Sequence, residues 1–365
     1  MKVAHIDEQT GWRGGEQQAS WLMRGLAARG HGVLAMGRPG APFLQNSHAD
    51  APLRRVPLPL RGEWDLPSAA RLAALVRREG IDILHAHTSH AHTLAVLARA
   101  WAGRGRVVVS RRVSFSPRNH VLNRWKYRAP DRLLAVSQRV GAVLAEFGVS
   151  RENIDVVHSA VDLERLRVPP LSRASLGVDE DAPLVVSAGA LVGHKDHENL
   201  VDAAARVHKE FPRLRVVIAG EGPLRGALET RIAEAGLSEA VTLLGHRDDA
   251  PALLRAADVY VSSSWSEGLG TSVLEALACG TPVVATEAGG AAEMVVPGET
   301  GLLVPVRDAA ALAQAMVVSL RDREAAYSRA EAGKALVQRE FTVERMVERT
   351  LAVYDAVLSP GAAAR

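Results

Sequence analysis

The sequence predicts a two-domain α/β protein, each half a parallel sheet covered by helices, and three observations carry that expectation. The chain has 365 residues, more than one ordinary core needs and comfortable for two. Short β-branched runs alternate with amphipathic helical stretches from end to end, the pattern of repeated strand-helix-strand units. Residues 166–183 interrupt that pattern with Pro169-Pro170 and the acidic turn Asp179-Glu180-Asp181, which read as a linker. The expected division is therefore an N-terminal domain over 1–165, a linker over 166–183 and a C-terminal domain over 184–341. A last helix over 342–365 is expected to pack back toward the first domain.

In the first half, strands are expected at Val3–Ile6, Ile81–His85, Val107–Ser110, Leu133–Val136 and Ile154–Val157. Gln17 to Arg29 reads as a helix, with Trp21, Leu22, Gly25 and Leu26 on one buried side and Gly30 as its stop. In the second half the strands are Leu184–Ser187, Leu214–Ala219, Val241–Leu244, Val259–Ser262, Pro282–Thr286 and Gly301–Val304. Helices beginning at Glu198, Pro223, Ala250, Thr271, Ala291 and Asp308 fill the intervals. No low-complexity segment or solenoid repeat is present.

Hydrophobic residues at 47% and charged residues at 23% are the balance of a soluble globular chain and exclude a disordered one. The longest apolar stretches are strand-length, so no membrane-spanning helix is predicted. The N-terminus shows no signal-peptide pattern, and the single cysteine, Cys279, has no internal disulfide partner; both suit a cytoplasmic protein. Cys279 reads as a small buried filler. Net charge is +3, yet residues 1–182 carry 26 Lys and Arg against 17 Asp and Glu, and the remainder 18 against 24. Such a field attracts anionic headgroups or a phosphorylated acceptor. It has none of the aromatic or zinc-finger patterning of a nucleic-acid binder, so no nucleic-acid partner is expected.

The chemistry concentrates between Trp265 and Gly280. The strand Val259–Ser262 runs into a loop holding Gly268, Leu269 and Gly270, and a helix starts near Thr271, the expected N-cap. Free amides at a helix N-terminus, beside the carboxyl ends of parallel strands, suit a phosphate. Glu267 and Glu275 flank this phosphate site. Eight helical residues span roughly 12 Å, too far for two carboxylates sharing one bond at about 5–9.5 Å. The spacing suits one elongated ligand held at both ends.

This Glu-x7-Glu element, followed by Gly280-Thr281-Pro282-Val283, Gly289-Gly290 and Glu293, resembles glycosyltransferase family four. Those are retaining enzymes of the GT-B fold, two Rossmann-like domains with parallel sheets facing across a cleft. The resemblance implies a nucleotide-sugar donor (UDP or GDP), with Glu267 on the sugar and Glu275 on the ribose. It implies front-face attack with the leaving phosphate taking the acceptor's proton, no metal and no other cofactor. In the loop Gly189-Ala190-Leu191-Val192-Gly193-His194-Lys195, Lys195 stands where the family carries the lysine that neutralises the donor diphosphate. Family members often have an arginine where this chain has Ala190, and His194 or Arg225 is expected to compensate. Gly222, in Ala219-Gly220-Glu221-Gly222-Pro223, is placed by the nucleotide, as are Gly14 and Gly15, near the donor phosphates.

Gly220, Gly222 and Gly226 also approximate a dinucleotide fingerprint, but their spacing is one residue too long and a proline interrupts it. Four histidines cluster from His85 to His92, and His87 best matches the family histidine beside the reacting sugar. Without carboxylate or cysteine ligands among them, no metal site is expected. Ser110-Arg111-Arg112-Val113-Ser114-Phe115 resembles bacterial relatives that build lipopolysaccharide or other surface glycans. Arg111 and Arg112 therefore fall on the acceptor side, for a glycan or lipid-linked acceptor and peripheral contact with the inner membrane face. Two alternatives stay open: a sugar-nucleotide epimerase of the same fold, and a non-catalytic anion-binding module.

Overall fold

A computed structural model describes residues 1–46 and 53–359. In chain order it opens with β1 (Lys2–Ile6), α1 (Gly14–Ala28), β2 (Gly32–Gly37), α2 (Pro42–Gln45), β3 (Arg54–Pro57) and α3 (Leu66–Glu79). There follow β4 (Ile83–Ala86), α4 (Ser89–Ala102), β5 (Arg106–Arg111), α5 (Val121–Arg128), β6 (Arg132–Ala135), α6 (Gln138–Glu146) and β7 (Ile154–Val156). The second half holds β8 (Leu184–Ala188), α7 (His197–Glu210), β9 (Arg215–Ala219), α8 (Arg225–Glu234), β10 (Val241–Gly245) and α9 (Ala250–Ala256). Then come β11 (Val259–Ser262), α10 (Thr271–Ala278), β12 (Val283–Thr286), β13 (Leu302–Val304) and the helices α11 (Ala309–Arg321), α12 (Arg323–Glu340) and α13 (Val343–Leu358). Residues 360–365, the end of the expected last helix, lie outside the described residues.

These elements form two Rossmann-like units, the first built from 1–160 and 343–365, the second from 161–342. The first unit's sheet has the order β3-β2-β1-β4-β5-β6-β7, the second's β10-β9-β8-β11-β12-β13, and every strand pair is parallel. Both chain orders reverse direction beside a central strand, which opens a ligand crevice at the carboxyl ends of the strands.

Two first-unit strands go beyond the sequence reading. β2 is bounded by glycines, and β3 is a four-residue edge strand with two arginines and a proline, a pattern that discourages further pairing. Residues 166–183 do not hang free as a linker. Leu171 N–H donates to Ala252 O at 2.9 Å, and Arg173 reaches the buried Asp258 carboxylate at 3.1 Å, so this stretch is part of the second unit. Around Ala291 the chain makes one 3-10 turn instead of a helix, and Cys279 is buried beside Pro251 O.

The core of the first unit closes only with α13. Val343, Met346, Val347, Val353 and Tyr354 join Trp21, Leu22 and Leu26 in one buried cluster. Gly25 on α1 makes that contact possible, because a Cβ there would lie 2.5 Å from Val347 Cγ2. We expect Gly25→Val to destabilise the protein by about 1–3 kcal/mol through overpacking, read as a lowered denaturant midpoint at unchanged slope.

Candidate functional site

Loops after β8 and β11 in the second unit lie together at the point where strand order reverses. The indole N–H of Trp265 donates to Gly193 O at 2.9 Å, its backbone N–H donates to His194 O at 3.0 Å, and Ser263 Oγ donates to Lys195 O at 3.0 Å. Lys195 Nζ in turn donates to Glu267 Oε1 at 2.5 Å, and Ser264 Oγ donates to the same oxygen at 2.7 Å. Neither partner is fully buried, with side chains 19% and 14% exposed, so the ammonium can still meet a ligand.

Glycines hold these loops at backbone contact. A Cβ at Gly289, where φ is +58°, would overlap the Glu267 carbonyl oxygen, and one at Gly220 would overlap that of Gly189. Gly222 packs against the Leu191 backbone in the same way. Its closeness to this loop is a packing requirement in its own right. Gly189 faces the Lys195 stem instead, a Cβ there lying 3.4 Å from Lys195 Cδ and Cε.

The start of α10 differs by one residue from the sequence reading. Gly270 is the N-cap, at φ +100°, and Thr271 is the first helical residue. A β-branched threonine resists that left-handed conformation, and glycine does not. No side chain caps this helix, so its first amides stay available to an anion near Gly268 and Leu269. One turn in, Glu275 lies 3.6 Å from Arg165, and burial pushes its carboxyl above the usual range. Tyr260 Oη donates to Ser272 Oγ at 2.8 Å below the same helix.

Beside Gly189 and Ala190 opens a cavity of about 300 Å³, lined also by Gly220, Glu221, His246 and Arg247 at the carboxyl ends of β8, β9 and β10. Glu221 lies in the loop the sequence reading placed by the nucleotide, but His246 and Arg247 were not included; the signal for them is that three successive strands end on the same sheet edge. Arg225 is held by Glu221 and Glu229, each at 3.0 Å, the first of which lines the cavity. His194 is exposed. His197 was also missed: it is buried behind the Lys195 loop, and desolvation lowers its imidazole to about 4.

In the first unit, His87 belongs to a buried trio. The β1–β4 register sets His5 opposite His85, and strand alternation brings His87 to the same side as His85. His5 Nδ1 and His87 Nε2 share a hydrogen bond of 2.9 Å, and His85 bridges Tyr354 Oη at 2.5 Å and Ser110 Oγ at 2.8 Å. Their ligand-type atoms lie within 4.8 Å of one another, yet four of the six nitrogens are hydrogen-bonded, one pair to each other and both of His85 to Tyr354 and Ser110. Ligation by all three would have to break one of the two His85 bonds. Burial lowers His5 to about 3 and puts His85 and His87 well below the usual imidazole range. His87 Nδ1 is buried without a protein partner.

Gly14 and Gly15 are the first two residues of α1, which begins three residues ahead of the Gln17 read from the sequence; Glu16 accepts from Arg13 N–H at 2.7 Å. Arg112 passes Gly15, its Cδ 3.6 Å from where a Cβ would stand, and burial lowers its guanidinium to about 10. Arg111 is engaged inside the unit, donating to Tyr127 Oη at 2.5 Å and to Phe115 O.

Imidazoles kept neutral by burial make stability depend on pH. Their folded values lie below 6.5, so the unfolded chain takes up protons first as pH falls through 6.5, and their contribution to stability drops down to about pH 3. Four carboxyls raised by burial work in the opposite sense, Asp7 to about 8 and Asp155, Asp196 and Glu275 in the same direction, against five imidazoles. Tm should fall between pH 7 and 5, and the fall should be shallower in His92→Asn.

Two family models match the chain. One, described as glycosyl transferases group 1, spans residues 170–336, and the other, glycosyltransferase family 4, spans 12–165. The lipopolysaccharide core biosynthesis glycosyltransferase LpsE of Rhizobium meliloti is 29% identical, covering 96% of this chain and 98% of its own. Glycogen synthase of Mycobacterium tuberculosis is 30% identical over 75% of this chain and 69% of its own. Among solved structures, Anabaena HepE in complex with UDP and glucose aligns with a TM-score of 0.84 at 23% identity, over 98% of this chain and 100% of that one.

Proposed function

The chain belongs to the family 4 glycosyltransferases, and on that premise we propose that it is a retaining, metal-independent hexosyltransferase using a UDP or GDP sugar. One observation carries this reading: Lys195 and Glu267 are bonded at 2.5 Å at the carboxyl end of the sheet, beside the uncapped N-terminus of α10. A fixed ammonium and free amides are what a departing diphosphate needs, since both act on charge that grows in the transition state.

On this reading the base fits the cavity at Glu221, His246 and Arg247, and Glu275 takes the ribose. Lys195 turns from Glu267 to the diphosphate, which frees the carboxylate for sugar hydroxyls. The bond from anomeric carbon to diphosphate oxygen breaks with its electrons going to the phosphate. The acceptor oxygen bonds the same face of that carbon, and its proton passes to the leaving phosphate. His87, neutral and with Nδ1 unpartnered, keeps a nitrogen free for a sugar hydroxyl. Arg112 stands on the acceptor side, while Arg111 braces that segment from within. The likeness to a lipopolysaccharide core enzyme and the basic first half support an anionic, lipid-attached acceptor. HepE, solved with UDP, supports a uridine donor.

Calorimetric titration with UDP, GDP, ADP and NAD in EDTA tests the donor. Micromolar binding of UDP or GDP alone is expected, and binding of NAD instead would overturn the reading. Lys195→Ala should lower turnover at least tenfold, about 1.4 kcal/mol of lost transition-state stabilisation. Glu275→Gln should weaken nucleotide binding about tenfold, as loss of a hydrogen bond to a charged group does. An isomerised nucleotide sugar without free nucleotide diphosphate would identify an epimerase.

A further inference from the structure

The outer face of α5 in the first unit is built the wrong way round for a protein surface in water. Val121, Arg124, Trp125 and Arg128, spaced i, i+3, i+4 and i+7, all face outward, while Lys126 and Tyr127 are buried. Val121 is 81% exposed, and Phe115, in the segment leading to the helix, 64%. Trp64 lines the same groove as Leu122 and Trp125, so these three apolar side chains form one patch and are not scattered.

The charge on this face is of one sign. Between Phe115 and Arg128 the chain has three arginines and a lysine and no acid. The neighbouring acids are committed inward. Glu63 holds the buried Lys126 at 2.5 Å and Thr93 at 2.8 Å, and Asp65 caps α3 through Ser68. Arg124 is bonded to the neutral Asn119 at 2.8 Å. Among the described residues, no carboxylate is paired with Arg118, Arg124 or Arg128.

We propose that this face, centred on Leu122, Trp125 and Arg124, docks on an anionic lipid bilayer. Tryptophan seats at the depth where acyl chains meet headgroups, and arginine stems lie along apolar surface while their guanidinium groups reach lipid phosphates. A second copy of the chain is a poorer occupant, because a two-fold contact would set the arginines against one another. No helix among the described residues is long and apolar enough to cross a membrane, so this contact rests on the surface. It extends the acceptor half of the reading above by naming where a lipid-attached acceptor is met.

The test is co-sedimentation of the full chain with vesicles of phosphatidylcholine, with and without phosphatidylglycerol. Binding only to the anionic vesicles is expected, and high salt should weaken it. Leu122→Glu with Trp125→Glu, and separately Arg124→Glu with Arg128→Glu, should each weaken partitioning at least tenfold. Trp101→Glu, an exposed tryptophan on α4, should leave it unchanged. UDP titration of every variant reports on the second unit, so lost nucleotide binding marks a failure of the donor reading or of folding and not of this one. Absence of binding to anionic vesicles, equal binding to phosphatidylcholine alone, or unaltered binding in the variants overturns the proposal. So does concentration-dependent dimerisation that these substitutions abolish.

Discussion

Backbone lying directly on backbone, at the carboxyl end of the second sheet, sets the positions of the groups that follow from it. Gly220 meets the Gly189 carbonyl and Gly289 meets that of Glu267, with no room for a Cβ at either place. These contacts hold the loops after β8, β9, β11 and β12 in one layer. Only then do Lys195 and Glu267, 72 residues apart in sequence, come within hydrogen-bond distance. Their pairing satisfies two charges that would be costly to keep partly buried alone. It also leaves Lys195 with a carboxylate partner that an anionic ligand group can replace.

The first unit uses a different device. Its sheet brings three histidines together from two neighbouring strands and holds them neutral by burial. The bonds to Tyr354 and Ser110 orient the His85 ring, and the His5 bond leaves His87 one nitrogen to offer. A neutral imidazole can give or take a hydrogen bond without bringing a positive charge to the site.

Alternation of strand and helix made the parallel sheets legible, because a strand buried on both faces reads as a short run rich in β-branched and aromatic residues. Val107–Ser110 and Val259–Ser262 are such runs. β3 was not legible: an edge strand of four residues that carries Arg54, Arg55 and Pro57 looks like a loop. The Glu267 loop and α10 could be read because their residues are neighbours in sequence. His5 could not be joined to His87, since their contact depends on strand register across 82 positions. Arg173 was hidden in the same way, as its partner Asp258 lies 85 residues on and the intervening prolines suggested a linker. At Thr271 a local rule, that threonine caps helices, gave way to a stronger one, that φ near +100° belongs to glycine.

The place of α13 has a consequence for the order in which the protein takes shape during synthesis. Every element of the second unit has been made by Thr342, whereas Trp21, Leu22 and Leu26 wait for residues 343–357 before their cluster is complete. The half that is translated first is therefore finished last. Until then α1 presents an apolar surface that a chaperone can cover or a neighbouring chain can capture. Loss of the final helix would leave the second unit's sheet intact and strand the first as an incomplete core.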